Sequence, residues 1–215
     1  MSNRVYGQFC GVARALEVVG ERWALLIVRD LLVGPRRFSD LRRGLPKIPT
    51  NILSARLKEL ESFEVVARRV LPRPAGSVVY ELTELGRGLE DVVLAFGRWG
   101  ARLLGEAREG EVVTTDSLIM ALRTTFHADA ARGVNVVYEL RFGEALVLHA
   151  RIADGRLAVG EGVAETADLV IEAGPGLKPL LAREVTPAGA IAAGSVRVIG
   201  DPALLELFVR IFFIE

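Results

Sequence analysis

Apolar positions in the first third of the chain recur at helical spacing and stop at glycine and proline. Val12, Leu16 and Val19 share one helix face, and Gly20 interrupts them. WALLIVRDLLVG then resumes with apolar residues nearly all round, the mark of a buried helix, so helix is expected over 11–33. Gly34-Pro35 stops it. Phe38-Ser39-Asp40-Leu41 opens a short helix with Ser39 as its N-cap, and Leu45-Pro46 closes it. Another helix runs from about Thr50 to Ser62. VVARRVL (65–71) and SVVYEL (77–82) read as strands joined by a PRPAG turn. Thr83 caps a long helix, 84–107, with Leu85, Leu89, Val92, Val93, Phe96, Trp99 and Leu103 in one stripe. Three consecutive helices and a β-hairpin make a winged helix-turn-helix.

GEAREGEVV (105–113) reads as a linker. Beyond it the pattern predicts a helix over 116–130, strands at NVVYELRF and ALVLHARI, and a hairpin turn at Asp154-Gly155 before RLAVGEG. DLVIEA (168–173) and VRVIG are further strands. Short helices are expected at 175–183 and 187–193, and a last helix at 202–213. The fold class is α+β: a winged helix-turn-helix domain, 1–107, and an α+β domain with an antiparallel sheet and flanking helices, 113–215.

Charge sharpens this division. The chain is neutral overall, but residues 1–109 hold 18 basic and 13 acidic residues, and 110–215 hold 9 and 14. The basic half suits nucleic acid and the acidic half does not. One segment concentrates the excess: between Arg36 and Lys58 stand seven cations and a single acid, Asp40. On a wheel of residues 50–62, Ile52, Leu53, Leu57 and Leu60 fall on one side. Thr50 opens the helix, and Asn51, Ser54, Ala55, Lys58 and Ser62 fall on the opposite side. Asn pairs bidentately with adenine, Lys reaches guanine or phosphate, and Ala packs on a thymine methyl. Arg36, Arg37, Arg42 and Arg43 flank the short helix, and Arg68, Arg69 and Arg73 lie on the hairpin, with Arg73 at its tip. These cations would grip phosphates rather than read bases, and would make binding steeply salt-dependent. Arg56 lies toward the apolar side of the wheel and is expected to brace the fold.

CGVARALEVVGERWALLIVRDLLVGPRRFSDLRRGLP, NILSARLKELE, VARRVLPRPAGSVVYELTELGRGL and FGRWG resemble, in order, the HxlR family of bacterial winged-helix regulators, over about residues 10–102. The resemblance implies a homodimer on a pseudo-palindromic double-stranded DNA operator, usually as a repressor. It further implies that the helix before GERW and the long helix after YELTELG form the dimer interface. One position departs from the family: Glu64 stands in the turn after the recognition helix, where Gly is usual. A non-Gly residue in a left-handed cap is strained by about 1 kcal/mol or more.

ADLVIEAGPGLKPLLAREVTPAGAIAAGSVRVIGDPALLELFVRIF is similar to the sterol carrier protein type 2 fold, over about 113–214. That resemblance implies a cavity for a small apolar or lipid-like ligand. Leu118, Leu122, Phe126, Leu146, Leu148, Leu205, Phe208 and Phe212 are the candidate lining residues. Plain core packing has the same composition.

Other chemistry is sparse. His127 and His149 have no neighbours at ligand spacing, so no metal or other cofactor is expected, and no GxSxG, P-loop or HExxH motif suggests catalysis. The lone Cys10 excludes an internal disulfide. Some HxlR-like regulators sense electrophiles or oxidants through an N-terminal Cys at this place, and Arg14, one turn on, could favour the thiolate. The N-terminus lacks a signal peptide and no apolar run reaches membrane length, so a cytoplasmic protein is expected, with no membrane partner.

The sequence thus points to a dimeric DNA-binding regulator whose second half senses an apolar ligand. One alternative keeps the DNA head, makes Cys10 the sensor and leaves the second half structural. Another is a lipid carrier with a vestigial DNA head.

Overall fold

A computed structural model describes residues 5–72, 76–143, 146–174 and 176–214. The expected hairpin tip with Arg73, the Glu144 turn position and residue 175 lie outside the described residues. The chain divides into two compact units between Val93 and Leu94.

The first unit runs α1 (Gly11–Val19), α2 (Ala24–Val33), α3 (Phe38–Gly44), α4 (Thr50–Ser62), β1 (Val66–Val70), β2 (Val78–Leu82) and α5 (Glu84–Arg87). α6 (Glu90–Ala101) begins in this unit and ends in the next. Its core is α2, buried through Ile27, Val28 and Leu31, against Leu41 of α3, Leu53, Leu57 and Leu60 of α4, and Leu82 of β2. Each such side chain contributes on the order of 2 kcal/mol when removed from water. Leu45 and Ile48 anchor the turn between α3 and α4 from below.

Two local expectations change. Ser39 does not cap α3; it lies inside the helix, which starts at Phe38. Asp40 performs the capping from within, its carboxylate accepting the Arg37 N–H at 3.0 Å. The single helix over 84–107 is broken. Leu89 N–H bonds back to Gly86 at 3.1 Å, a three-residue step that separates α5 from α6, and α6 ends at Ala101. Gly86, Gly88, Gly97, Gly100 and Gly105 lower helix propensity by about 1 kcal/mol each, which explains both the break and the early end. Gly86 is also required by packing, since a Cβ there would lie 2.1 Å from the Val65 carbonyl oxygen.

α4 ends in a Schellman motif: Val65 N–H bonds Leu60 C=O at 2.9 Å and Glu64 N–H bonds Glu61 C=O at 3.1 Å. Glu64 occupies the left-handed position at φ +57°.

The second unit contains α7 (Thr115–Thr125), a 3-10 turn (Asp129–Ala131), β3 (Asn135–Phe142), β4 (Leu146–Ala153), β5 (Arg156–Glu161), β6 (Leu169–Ala173), α8 (Leu177–Leu181), α9 (Pro187–Ala192), β7 (Val196–Gly200) and α10 (Ala203–Ile211). α7 stops short of 130 because Phe126 turns extended and forms a bridge with Phe212. The sheet order is β5-β4-β3-β6-β7, and it is mixed: β3 and β6 pair parallel, Tyr138 opposite Leu169. The expected antiparallel sheet is corrected there, because alternation along a strand does not report its direction. One face of the sheet, with Tyr138, Leu140, Leu148, Ile152 and Ile171, is buried. On the other face Glu139 and Arg141 of β3, Glu172 of β6 and Arg197 of β7 form a chain of ion pairs.

Candidate nucleic-acid interface

α3 and α4 meet in a turn that ends in Pro49, the N-cap of α4. With Leu53, Leu57 and Leu60 facing inward, Thr50, Asn51, Ser54, Ala55 and Lys58 are all exposed. Ser54 spends its hydroxyl proton on the Thr50 carbonyl at 3.0 Å, which leaves its lone pairs facing outward as acceptors. Arg42 and Arg43 are exposed at the end of α3, and Arg43 lies 3.6 Å from Asp40. Arg37 is exposed at the start of that helix. Lys47, which the sequence reading left out, is exposed in the turn itself and extends the same cationic rim.

The basic residues are not equivalent. Arg36 is half-buried; its backbone exchanges two hydrogen bonds with Tyr80, at 2.9 and 2.8 Å, adding a short third strand to the β1–β2 sheet. On the wing, Arg68 is exposed, whereas Arg69 grips Glu81 through two bonds of 2.9 Å. That fork holds the Glu81 carboxyl below the usual carboxylate range. Arg69 therefore stiffens the wing, a role visible only once the strands are in register. Arg56 points inward and bridges Glu21 at 3.5 Å and Glu59, as its place on the wheel implied.

Cys10 is the exposed N-cap of α1. The backbone N–H groups of Ala13, then Val12, at the start of α1 lower its thiol pKa. The expected helper, Arg14, is engaged elsewhere: it binds Glu17 at 2.8 Å, and Glu17 also accepts the Tyr6 N–H at 3.0 Å.

In the second unit Leu122, Leu148, Leu205, Phe208 and Phe212 are buried, and Leu118, Phe126 and Leu146 are half-buried. The rings pack on one another. Phe126–Phe212 centroids are 5.5 Å apart, Phe208–Phe212 4.6 Å and Tyr138–Phe208 5.1 Å. The Tyr138 hydroxyl donates to the Leu204 carbonyl at 3.0 Å, and burial pushes its pKa well up. Two concavities, one around Leu31, Gly34 and Arg87 and one around Glu61, Val66 and Arg68, belong to the first unit. His149 Nδ1 lies 3.1 Å from the Gly162 carbonyl, and the His127 ring stacks on Phe213 at 3.4 Å. Among the described residues, no cluster of His, Cys, Asp and Glu could hold a metal ion, and no helix is long and apolar enough to cross a membrane.

A helix-turn-helix with a polar, exposed second helix, a cationic rim and a basic wing defines a DNA-binding transcriptional regulator. The HxlR-like helix-turn-helix model matches residues 18–108, and the chain belongs to that family. It is 41% identical over 85 residues to the HTH-type transcriptional regulator YodB of Bacillus subtilis (strain 168), covering 40% of this chain and 76% of that protein. It is 40% identical over 104 residues to MT3179, an uncharacterized HTH-type transcriptional regulator of Mycobacterium tuberculosis (strain CDC 1551 / Oshkosh), covering 48% and 64%. Among solved structures, the redox regulator HypR in its oxidized form is similar, at 35% identity and a TM-score of 0.42, over 46% of this chain and 100% of that one.

Proposed function

We propose that the protein is a homodimeric repressor that reads a pseudo-palindromic operator, with α4 of each copy in successive major grooves about 34 Å apart. The observation that carries this is the exposed face of α4, where Asn51, Ser54, Ala55 and Lys58 stand clear of the core between the cations of α3 and Arg68 of the wing. Asn51 and Lys58 supply base contacts; Arg37, Arg42, Arg43 and Arg68 supply phosphate contacts. Two exposed apolar faces support the dimer. α1 exposes Val12 and Leu16, and α6 exposes Val92, Phe96 and Trp99, the last two stacked at 5.9 Å. The test is selection of duplexes from a random pool by the purified protein, followed by footprinting. A selected site with two symmetric half-sites supports the reading; enrichment of no sequence sinks it.

A second reading concerns the signal. Cys10 is exposed, and the first N–H groups of α1 favour its thiolate, which suits a sensor of electrophiles or oxidants. N-ethylmaleimide, which alkylates the sulfur, would release DNA from the wild type and not from Cys10→Ser. Sensing of a small apolar ligand by the second unit rests on the resemblance of residues 113–214 alone, and the mutual packing of Phe126, Phe208, Phe212 and Tyr138 weighs against it.

A further inference from the structure

The inward ridge of α4 is built from Leu53, Leu57 and Leu60. Burial of this ridge fixes which side of α4 faces the core, and small rotations that keep the leucines covered are what it leaves open. Arg56 stands beside this ridge with a side chain only 15% exposed. Its guanidinium binds Glu59, one turn on in the same helix, and Glu21 at 3.5 Å. Glu21 lies in the turn joining α1 to α2, which also holds Trp23 at φ +82°. A bulky residue keeps that left-handed conformation only where its surroundings enforce it, so the turn is a stiff support. A guanidinium nitrogen held between the Glu21 and Glu59 carboxylates adds a constraint against those small rotations.

We infer that the Glu21–Arg56 ion pair positions the DNA-reading helix: it ties the rotation of α4 to the α1–α2 turn, and so aims Asn51, Ser54, Ala55 and Lys58, without touching DNA itself. The inference rests on α4 being the base-reading helix. Base-edge hydrogen bonds are sensitive to the direction of the donor, whereas solvated cations such as Arg42 and Lys47 follow a phosphate through small rotations. Losing the pair should therefore cost discrimination and leave general attraction to DNA intact. The same link gives any movement of α1 a route to α4.

The experiment compares binding of the full chain to a duplex that the wild type selects from a random pool and to a scrambled duplex, over a range of salt. Arg56→Gln and Glu21→Gln should each weaken binding to the selected duplex about tenfold, roughly the value of one well-formed base contact. Affinity for the scrambled duplex and the salt slope should stay at wild-type values, and the double variant should lose no more than either single. Arg56→Lys, which keeps the charge on a differently shaped head group, should fall between. A salt slope reduced by about one would make Arg56 a phosphate contact and overturn the inference. Losses that multiply in the double variant, or equal losses on both duplexes, would overturn it too. Should Arg56→Gln fail to fold, Glu21→Gln at its partly exposed position carries the comparison. Asn51→Ala separates the two levels: no loss on the selected duplex refutes α4 as the reading helix, whereas a loss there with unchanged Arg56 and Glu21 variants refutes only the ion pair.

Discussion

Thr83 Oγ1 donates a hydrogen bond to the carbonyl oxygen of Glu64, 2.5 Å away, pinning the left-handed residue that ends α4 to the residue that caps α5. Glu64 carries the strain of a side chain at φ +57°. Glu64→Gly should relieve it and raise stability by about 0.5–1 kcal/mol, after the entropy that glycine adds to the unfolded chain. Glu64→Val should lower stability by more than that, because β-branching worsens the clash. Urea midpoints at constant m-value check both.

Asp30 is fully buried in α2, paired with Arg29 at 2.7 Å, and it lies under the end of α3. A Cβ on Gly44 would stand 2.7 Å from its carboxylate. Gly44→Ala should destabilise the first unit by about 1–3 kcal/mol, the usual cost of overpacking. Thermal unfolding followed by far-ultraviolet dichroism measures it.

On DNA, Lys58→Ala and Arg42→Ala should differ in kind. Arg42→Ala should weaken binding to every duplex alike and reduce the salt slope by about one. Asn51→Ala should cost about 1–3 kcal/mol on the selected duplex and little on others. Lys58→Ala should follow Asn51→Ala; an equal loss on every duplex would make Lys58 a phosphate contact instead. Salt titrations on two duplexes decide among these outcomes.

For Cys10, the N–H groups of Ala13 and Val12 stabilise the charged sulfur. The pH at which alkylation by iodoacetamide reaches half its maximal rate should lie below the ordinary thiol value of about 8.5. Arg14→Ala should leave that midpoint in place, because Arg14 is committed to Glu17. A midpoint at or above 8.5 would remove the activated-thiol assignment.

In the second unit Glu172 accepts from Arg197 at 2.7 Å and pairs with Arg141 at 3.4 Å, which lowers its pKa. A carboxyl with a depressed folded-state pKa stabilises the fold above its unfolded value, near 4.3, and ceases to do so as pH falls through the folded value. Wild type should therefore exceed Glu172→Gln in urea stability at neutral pH. The difference should shrink steadily in acid below about pH 4.

What the sequence discloses follows from how local each signal is. The bounds of α4 and its two faces were readable because Leu53, Leu57 and Leu60 repeat within one helix and no distant partner alters them. The Arg69–Glu81 pair is not legible in the sequence, because Glu81 lies across the hairpin, diagonal to Arg69 by a register that no local pattern specifies. Arg14 was misjudged despite a local cue, since Glu17 stands three residues on, where an opposite charge competes for it. The long helix after Thr83 was over-extended because its apolar stripe outweighed five glycines. The parallel pairing of β3 with β6 is not legible in either strand: β6 alternates in burial, β3 is buried on both faces over Val136–Leu140, and neither pattern names a partner or its direction.

That parallel pair has a consequence for biogenesis. β3 is the central strand, yet one of its edges stays unmatched while β4 and β5 complete their hairpins, and it is closed only when β6 arrives. A newly made chain therefore carries an open edge until the β6–β7 segment docks, and an identical chain nearby offers the same segment. Exchange of β6 and β7 between two copies would preserve every backbone pairing, so crowded synthesis would favour entangled pairs marked by slow dissociation.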